Sequence, residues 1–253
     1  MISIITINYN NKNELYRTLS SIDSQKLKSH IEVIVIDGGS TDGSQEIVSN
    51  SFKHLVTYFI SEPDMGIYDA MNKGILLSNK EWLYFLNAGD IFFSDDVLNK
   101  LYDFIINSNL TNLIYAPYIS DGKIDNTQLF SLSYLSSHMI NHQSMLLHKE
   151  LFQKQLYDIN YRFCADYALL LNLFDNIKPV KTDFIIVDYD SKGISSLDDN
   201  KVFIWKERIL AVLKSNLSFY KKLFLLKRAF GVYPYHLLKS KLKCMKNIMT
   251  HCR

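Results

Sequence analysis

The chain has 253 residues, of which 47% are hydrophobic and 21% charged, and its formal net charge is +2. This length suits one large α/β domain with an appendage, and this composition excludes an intrinsically disordered chain. The charge is uneven: residues 201–253 carry 13 Lys and Arg against one acid, Glu207, whereas residues 1–200 carry 15 against 25. The net charge is therefore +12 for residues 201–253 and −10 for residues 1–200, and the two portions are expected to bind different partners.

The cysteines and the N-terminus predict the compartment. Cys164, Cys244 and Cys252 match no metal-ligand spacing, and so small and odd a number argues against a disulfide framework. The apolar stretch at residues 2–7 has no basic leader and is too short for a signal peptide. No apolar run is long enough to span a bilayer. The sequence therefore predicts a cytoplasmic protein with at most peripheral membrane contact.

The first half of the chain predicts strands that alternate with helices. Residues 2–7 and 32–36 are rich in Ile and Val, residues 55–60 form a third candidate strand, and residues 82–86 are apolar and aromatic. A helical pattern at residues 13–22 separates the first two strands. We therefore predict a parallel sheet with right-handed crossovers, whose ligands lie beyond the carboxyl ends of the strands.

Polar side chains follow three of these strands, where Asn8, Asp37 and Asp90 would project into one crevice. The Gly-rich turn after Asp37 matches neither the dinucleotide fingerprint nor the P-loop, and alone it is best explained as a plain strand-to-helix turn. Asn87 and Asp90 offer the oxygen ligands that Mg²⁺ or Mn²⁺ prefers. The alternative is a turn that leads into a helix capped by Ser94.

A second polar segment follows the third strand. Pro63 and Gly66 set a helix start near Ile67, so Asp69 and Lys73 fall four residues apart on one helical face. That pair is either an ordinary surface salt bridge or a clamp at the crevice.

The second half of the chain is less regular. After a predicted helix at residues 94–107, residues 113–119 and 128–132 are predicted strands that flank a turn at residues 121–123. Asp166 stands where an apolar helix begins, and by pattern alone it is an acid favoured by the helix dipole.

The tail is predicted to form two helical stretches, at residues 202–230 and 235–249. A basic amphipathic helix favours an anionic lipid surface, because each Lys or Arg near such a surface gains about 1 kcal/mol. A helix packed on the main domain and a homodimer face are the alternatives. Nucleic acid is not an expected partner, since the tail aromatics fit buried helix faces as well as base stacking.

Four motifs, in this order and spacing, resemble the inverting glycosyltransferases of family 2, whose fold is called GT-A. The motifs are Asn8-Tyr9-Asn10, Asp37-Gly38-Gly39-Ser40-Thr41-Asp42-Gly43, Glu62-Pro63-Asp64-Met65-Gly66-Ile67-Tyr68-Asp69-Ala70-Met71-Asn72-Lys73-Gly74 and Phe85-Leu86-Asn87-Ala88-Gly89-Asp90. The resemblance covers residues 2–105 strongly and residues 138–175 moderately. The third motif looks like the branch that includes bacterial O-antigen, capsule and exopolysaccharide transferases.

The resemblance implies a role for each matching position. The residues expected to bind the nucleotide-sugar donor are Asn8, Tyr9, Asp37, Gly39, Asp64, Lys73, Ala88 and Gly89. Asp90, with Asn87, is expected to bind Mn²⁺ or Mg²⁺, although Asn87 and Gly89 replace acids found in many relatives. His142 and Gln143 are expected at the acceptor, and Asp166 matches the catalytic base.

The resemblance also implies the organisation and the activity. A GT-A domain, Rossmann-like with a mainly parallel sheet flanked by helices, would span residues 1–200, with a donor part at 1–107 and an acceptor part at 108–200. Residues 201–253 would form a basic helical extension. The expected activity is inverting transfer of a hexose from a UDP-sugar to a lipid-linked saccharide at the inner face of the cell membrane. The alternatives are a non-catalytic nucleotide-sugar-binding protein with an eroded metal element, and a nucleotidyltransferase.

Overall fold

A computed structural model describes residues 1–108, 110–190, 200–230 and 233–234. The strands in these ranges are β1 (Ile2–Asn8), β2 (Ile31–Asp37), β3 (Tyr58–Ser61), β4 (Trp82–Phe85), β5 (Ile91–Phe92), β6 (Leu113–Tyr115), β7 (Tyr118–Ser120), β8 (Lys123–Asp125), β9 (Met145–His148), β10 (Pro179–Lys181) and β11 (Val187–Tyr189). The helices are α1 (Lys12–Asp23), α2 (Ser44–Glu46), α3 (Ile67–Leu77), α4 (Val97–Asn107), α5 (Leu132–Leu135), α6 (Ala165–Asn172) and α7 (Lys201–Lys214). Residues 219–230 are also helical.

The larger sheet has the strand order β10-β6-β9-β4-β1-β2-β3. β1 runs parallel to β2 and β4, and β2 runs parallel to β3, which confirms the predicted parallel sheet of the first half. β9 lies antiparallel between β4 and β6. The register pairs Asn8 with Asp37, so the polar residues that end β1 and β2 lie side by side.

β1 and β2 are nearly continuous apolar runs because both faces of the sheet are covered by helices. Alternate side chains point to opposite faces, so Ile5 and Ile7 pack with α3 and α6, whereas Ile2 and Ile4 pack with α1 and α4. Each such side chain contributes about 1.5–3 kcal/mol on full burial. This two-sided core fixes the carboxyl edge of the sheet as the place where polar loops meet.

The smaller sheet, in the order β5-β11-β7-β8, differs from the prediction for residues 113–132. The predicted strand at residues 113–119 is divided between two sheets, because Pro117 lacks a backbone N–H and interrupts the ladder. The turn is confirmed: Asp121 and Gly122 both have positive φ, as a two-residue hairpin requires. Such a tight turn pairs the adjacent residues of β7 and β8, so the predicted strand at residues 128–132 is wrong.

Other boundaries shift for local reasons. The third strand begins at Tyr58 instead of residue 55. The helix after Asp90 begins at Val97 with Asp96 at its N-cap, so the expected cap at Ser94 is wrong. The chain first forms β5, which ends at Phe92.

The predicted single helix at residues 202–230 is interrupted after α7, where Ser215 is extended. The predicted helix at residues 235–249 lies outside the described residues. No helix within the described ranges combines the length and the apolar character needed to cross a bilayer.

Candidate functional site

The carboxyl ends of β1, β2 and β3 are held together by the carboxylate of Asp37, which is 0% exposed. It accepts hydrogen bonds from Asn8 Nδ2 at 2.7 Å, from Ser40 Oγ at 2.5 Å and Ser40 N at 2.8 Å, and from Ser61 Oγ at 2.6 Å. Burial raises the pKa of Asp37, but the hydrogen bonds from Ser40, Ser61 and Asn8 outweigh it and leave the pKa below its ordinary value. Asp37 and Asn8 thus lie beneath the crevice, where they shape its floor.

Above this floor, the exposed ring of Tyr9 and the half-buried carboxylate of Asp64 pack against the buried backbone of Gly38. Tyr9 is 66% exposed, and a Cβ atom on Gly38 would lie 3.0 Å from Tyr9 Cδ2 and 2.8 Å from Asp64 Oδ2. Asp64 Oδ1 accepts a hydrogen bond from Gly66 N at 2.9 Å, which fixes the carboxylate. An exposed aromatic ring beside a carboxylate suits a flat, hydrogen-bonding group such as a nucleobase.

Gly39 and Lys73 connect this surface to the next segment. Gly39 has φ +80°, and a Cβ atom there would lie 3.3 Å from Pro63 N, so the two turns are in close contact. Lys73 Nζ lies 2.8 Å from a carboxylate oxygen of Glu62 and 3.6 Å from one of Asp69. The hydrogen bond with Glu62 raises the pKa of Lys73, which therefore stays charged at the rim of the crevice.

The loop after β4 is anchored by main-chain contacts. Ala88 N donates to Ile7 O at 3.1 Å, which holds the loop to the end of β1. Thr18 Oγ1 accepts from Gly89 N at 3.0 Å and donates to Asp90 O at 2.8 Å. Gly89 has φ +111°, a conformation that favours glycine. The turn that carries Asp90 is thus fixed by α1.

Asp90 is 3% exposed and its carboxylate is held by the acceptor side of the chain. Oδ1 accepts a hydrogen bond from Asp190 N at 3.0 Å, and the side chain of Gln143 also hydrogen-bonds to Asp90. Burial raises the pKa of Asp90 to about 7, although these hydrogen bonds and His142 act in the opposite direction. Gln143 is buried and interacts with Asp90, and its expected role at the acceptor stays a prediction.

Asp190 is a site residue that the sequence analysis missed. A Cβ atom on Gly89 would lie 3.2 Å from Asp190 Oδ2, so a second carboxylate lies beside Asp90. Asp190 directly follows β11, which pairs with β5 just after Asp90. A strand as short as β5 has no periodicity to detect, so no sequence pattern could have predicted this contact.

The oxygen atoms of this turn fit a hard cation. Asn87 Oδ1 is buried and has no hydrogen-bond partner among the described residues, and Asp90 lies in the same turn. Across the described part of the chain, no three His, Cys, Asp or Glu side chains converge as a metal cage. If a divalent cation binds at this turn, Asp90 and Asn87 are the residues whose oxygens would hold it, and Mg²⁺ commonly keeps so few protein ligands.

On the acceptor side, Asp166 lies in the first turn of α6 and is 7% exposed. Its Oδ1 accepts hydrogen bonds from Tyr167 N at 2.7 Å and from Tyr68 Oη at 3.3 Å. Its Oδ2 lies 3.6 Å from His142 Nδ1, and His142 Nε2 lies 3.1 Å from Asn87 Nδ2. His142 thereby connects Asp166 to the turn that carries Asp90.

The surroundings of Asp166 are weakly polar. Tyr68 is buried, and burial followed by the charge of Asp166 raises its pKa well above the ordinary value. Tyr157 stacks near Tyr68, with ring centroids 5.5 Å apart, and its hydroxyl has no hydrogen-bond partner among the described residues. Tyr68 therefore stays protonated and donates to the carboxylate. A carboxylate within hydrogen-bond reach of a bound hydroxyl can take its proton.

Comparisons with known proteins identify the fold and the family of the chain. The structure is similar to crystal structures of S. aureus TarS 1–349 in complex with UDP-GlcNAc (TM-score 0.70, 15% identity, 91% of this chain and 72% of that chain). It is also similar to the mannosyltransferase PcManGT from Pyrobaculum calidifontis in complex with GDP-Man and Mn²⁺ (TM-score 0.68, 13% identity, covering 95% of this chain and 73% of that chain). At these identities the likeness shows the fold alone: an α/β GT-A fold with a mainly parallel sheet flanked by helices.

Two sequence relatives extend the comparison. An uncharacterised glycosyltransferase of Mycobacterium tuberculosis is 29% identical over 202 residues, which cover 77% of each protein. A PGL/p-HBAD biosynthesis glycosyltransferase of Mycobacterium bovis is 31% identical over 188 residues, or 70% of each. The sequence profile described as Glycosyl transferase family 2 matches residues 3–177. The chain therefore belongs to glycosyl transferase family 2.

Proposed function

We propose that this glycosyltransferase is an inverting, metal-dependent enzyme that transfers a hexose from a nucleoside diphosphate sugar to a hydroxyl group of a saccharide. The observation that carries the proposal is the connection from Asp166 through His142 to Asn87. It joins a candidate base to the turn of Asp90, where the donor diphosphate would lie. Tyr9 is exposed beside Asp64, and the base of the donor is proposed to lie against these two side chains.

The transfer step follows from this arrangement. The acceptor oxygen forms a bond to the anomeric carbon as its proton passes to the Asp166 carboxylate. The bond between the anomeric carbon and the diphosphate oxygen breaks, and the nucleoside diphosphate leaves with the electron pair. Because attack comes from the side opposite the leaving group, an α-linked donor gives a β-linked product.

The remaining residues bind and orient the substrates. When bound, a divalent cation at Asp90 and Asn87 supplies positive charge to the diphosphate. Lys73 and Asp64 lie at the donor rim, and His142 keeps one ring nitrogen toward Asp166. UDP-sugars are the expected donors, in keeping with the UDP-GlcNAc complex of the TarS structure. GDP-mannose, which is bound in the PcManGT structure, is the alternative donor.

The acceptor is proposed to be a lipid-linked saccharide of bacterial surface polysaccharide synthesis, presented at the inner face of the cell membrane. A surface of the C-terminal helices supports this part of the proposal. On α7, Phe203, Leu210 and Leu213 are exposed on the face that also carries Lys206 and Lys214. The next helix exposes a second set: Phe219, Tyr220, Leu223 and Phe230. Apolar residues among lysines suit an anionic bilayer surface.

Vesicle binding tests the membrane contact. The protein should co-sediment with vesicles that contain phosphatidylglycerol and bind several-fold less to pure phosphatidylcholine. The double substitution Leu210→Ser and Leu213→Ser should reduce that binding, whereas Leu76→Ser, at an exposed position of α3, should not. Equal vesicle binding by the three proteins would contradict membrane contact through this face. A dimer that dissociates in the double variant would show that the face is a homodimer interface instead.

The central test is Asp166→Asn. We expect transfer to fall about 10²- to 10⁴-fold, because a base is lost, while donor binding persists. Binding is measured as the thermal shift caused by UDP-GlcNAc or GDP-mannose, since ligand at 100 times its dissociation constant adds about 2.7 kcal/mol. Asp158→Asn is the control, because the exposed Asp158 carboxylate accepts hydrogen bonds from Asn160 and, within the described part of the chain, from no other residue.

The alternatives give different products. A non-catalytic binding protein would bind a nucleotide sugar yet release no nucleoside diphosphate, even with Mn²⁺ and a polyprenyl-diphosphate-linked sugar. A nucleotidyltransferase would release pyrophosphate. Either result for the wild-type protein would overturn the proposed transfer reaction.

A further inference from the structure

The single acid of the basic C-terminal portion has an unexpected set of contacts. Glu207 Oε1 accepts a hydrogen bond from Arg162 N at 2.8 Å. Its Oε2 accepts from Phe163 N at 2.9 Å and from Cys164 N at 3.0 Å. Three consecutive backbone N–H groups therefore point at one carboxylate on α7. Cys164 is the N-cap residue of α6, and Asp166 follows two positions later.

The neighbouring residue on α7 holds a different segment. Arg208 is buried, and its Nη2 donates to Leu135 O at 2.7 Å and to His138 O at 3.0 Å. Its guanidinium lies 4.5 Å from the ring centroids of both Tyr167 and Trp205. The segment that Arg208 holds leads directly into the turn of His142.

We propose that Glu207 and Arg208 are positioning residues that fix Asp166 and His142 relative to each other, so that α7 is part of the catalytic machinery. The inference rests on the proposed function, in which Asp166 accepts the proton. Neither side chain touches the substrates; each acts through the backbone it holds. The 3.6 Å separation of Asp166 Oδ2 and His142 Nδ1 depends on two segments that are both docked on α7.

The chain offers a matched control for Glu207. Glu32, near the amino end of β2, also accepts hydrogen bonds from two backbone N–H groups, Asn79 N at 2.5 Å and Lys80 N at 3.3 Å. It accepts a third from Ser3 Oγ at 2.6 Å. Glu207→Gln and Glu32→Gln remove the same charge from the same kind of arrangement. Only the first substitution affects the segment that leads to Asp166.

The experiment compares turnover, donor affinity and melting temperature of the two variants in the full-length protein. With UDP-GlcNAc or GDP-mannose as donor, Glu207→Gln should lower the turnover number about 10- to 100-fold, because small displacements of reacting groups cost this much. Donor affinity should stay within twofold. Glu32→Gln should keep near-normal turnover despite a similar loss of melting temperature. Equal losses of turnover in the two variants would overturn the proposal, since any structural damage would then suffice.

Amide hydrogen exchange tests the same inference without substrates. Glu207→Gln should accelerate exchange at residues 162–170, and Glu32→Gln should leave that segment unchanged. Unchanged exchange in Glu207→Gln overturns the positioning role even if the enzyme is active. A wild-type protein that turns over no donor defeats the proposed function separately, while the exchange result still decides whether α7 holds the Asp166 segment. If Glu207→Gln does not fold, Arg208→Lys serves as the second variant, with faster exchange expected at residues 135–142.

Discussion

The end of β2 and the turn after β4 each contain a buried carboxylate, Asp37 and Asp90, whose pKa values are shifted in opposite directions. Asp37 accepts four hydrogen bonds, from side chains and backbone of the strand-end turns, and its pKa lies below the ordinary value. Asp90 is held mainly by Asp190 and Gln143, and burial raises its pKa to about 7. A carboxylate saturated by its own protein is structural, whereas one whose charge is poorly compensated is suited to bind a cation.

The largest expected effect tests the Asp90 side of this comparison. In protein freed of metal by EDTA, a raised pKa means that the folded state holds the proton more tightly than the unfolded state between about pH 4 and 7. The free energy of unfolding should therefore fall across that range, and above pH 7 Asp90 should cost up to about 4 kcal/mol. Asp90→Asn should remove this cost, so urea unfolding should show the variant increasingly more stable than wild type as pH rises from 5 to 8.

The same variant should lose transfer activity, since it lacks the charge that a cation needs. A difference in the free energy of unfolding between wild type and Asp90→Asn that does not change from pH 5 to 8 would contradict the raised pKa. A stabilised variant that is inactive would instead place Asp90 among residues whose charge serves function at a cost to the fold.

The contrast also explains what the sequence could predict. β1, β2 and the turns that follow them were predictable because apolar periodicity and turn chemistry are local. The contacts of Asp190 with Asp90 and of Glu207 with residues 162–164 were not, because each joins segments more than 40 positions apart. Asp90 and Asp166 were singled out through the family resemblance, and their roles stay predictions. The partner strand of β7 was missed although the Asp121-Gly122 dipeptide favours a two-residue hairpin.

The next effect tests the Asp37 side. Asp37→Asn places an amide donor against Ser40 or Ser61, so we expect a loss of about 1–3 kcal/mol in the free energy of unfolding at pH 7. A lowered pKa stabilises the fold above the unfolded-state pKa, and this contribution is lost as pH falls through the folded-state value. The difference between wild type and variant, measured by urea unfolding, should therefore shrink below about pH 4.

Donor affinity separates this structural role from direct contact. At a temperature where Asp37→Asn remains folded, its dissociation constant for UDP or GDP should stay close to that of the wild type. A large loss of nucleotide affinity without a loss of stability would mean that Asp37 contacts the donor after all.

The smallest effect is expected at Gly38, whose backbone lies beneath Tyr9 and Asp64. In Gly38→Ala the new Cβ atom would lie 2.8 Å from Asp64 Oδ2 and 3.0 Å from the Tyr9 ring. The clash should weaken UDP or GDP binding, measured by calorimetry, about tenfold, or 1.4 kcal/mol. Gly38→Ala displaces Asp64, so it should add much less to Asp64→Ala than to the wild type. Strict additivity of the two substitutions would mean that the new methyl group weakens binding without acting through Asp64.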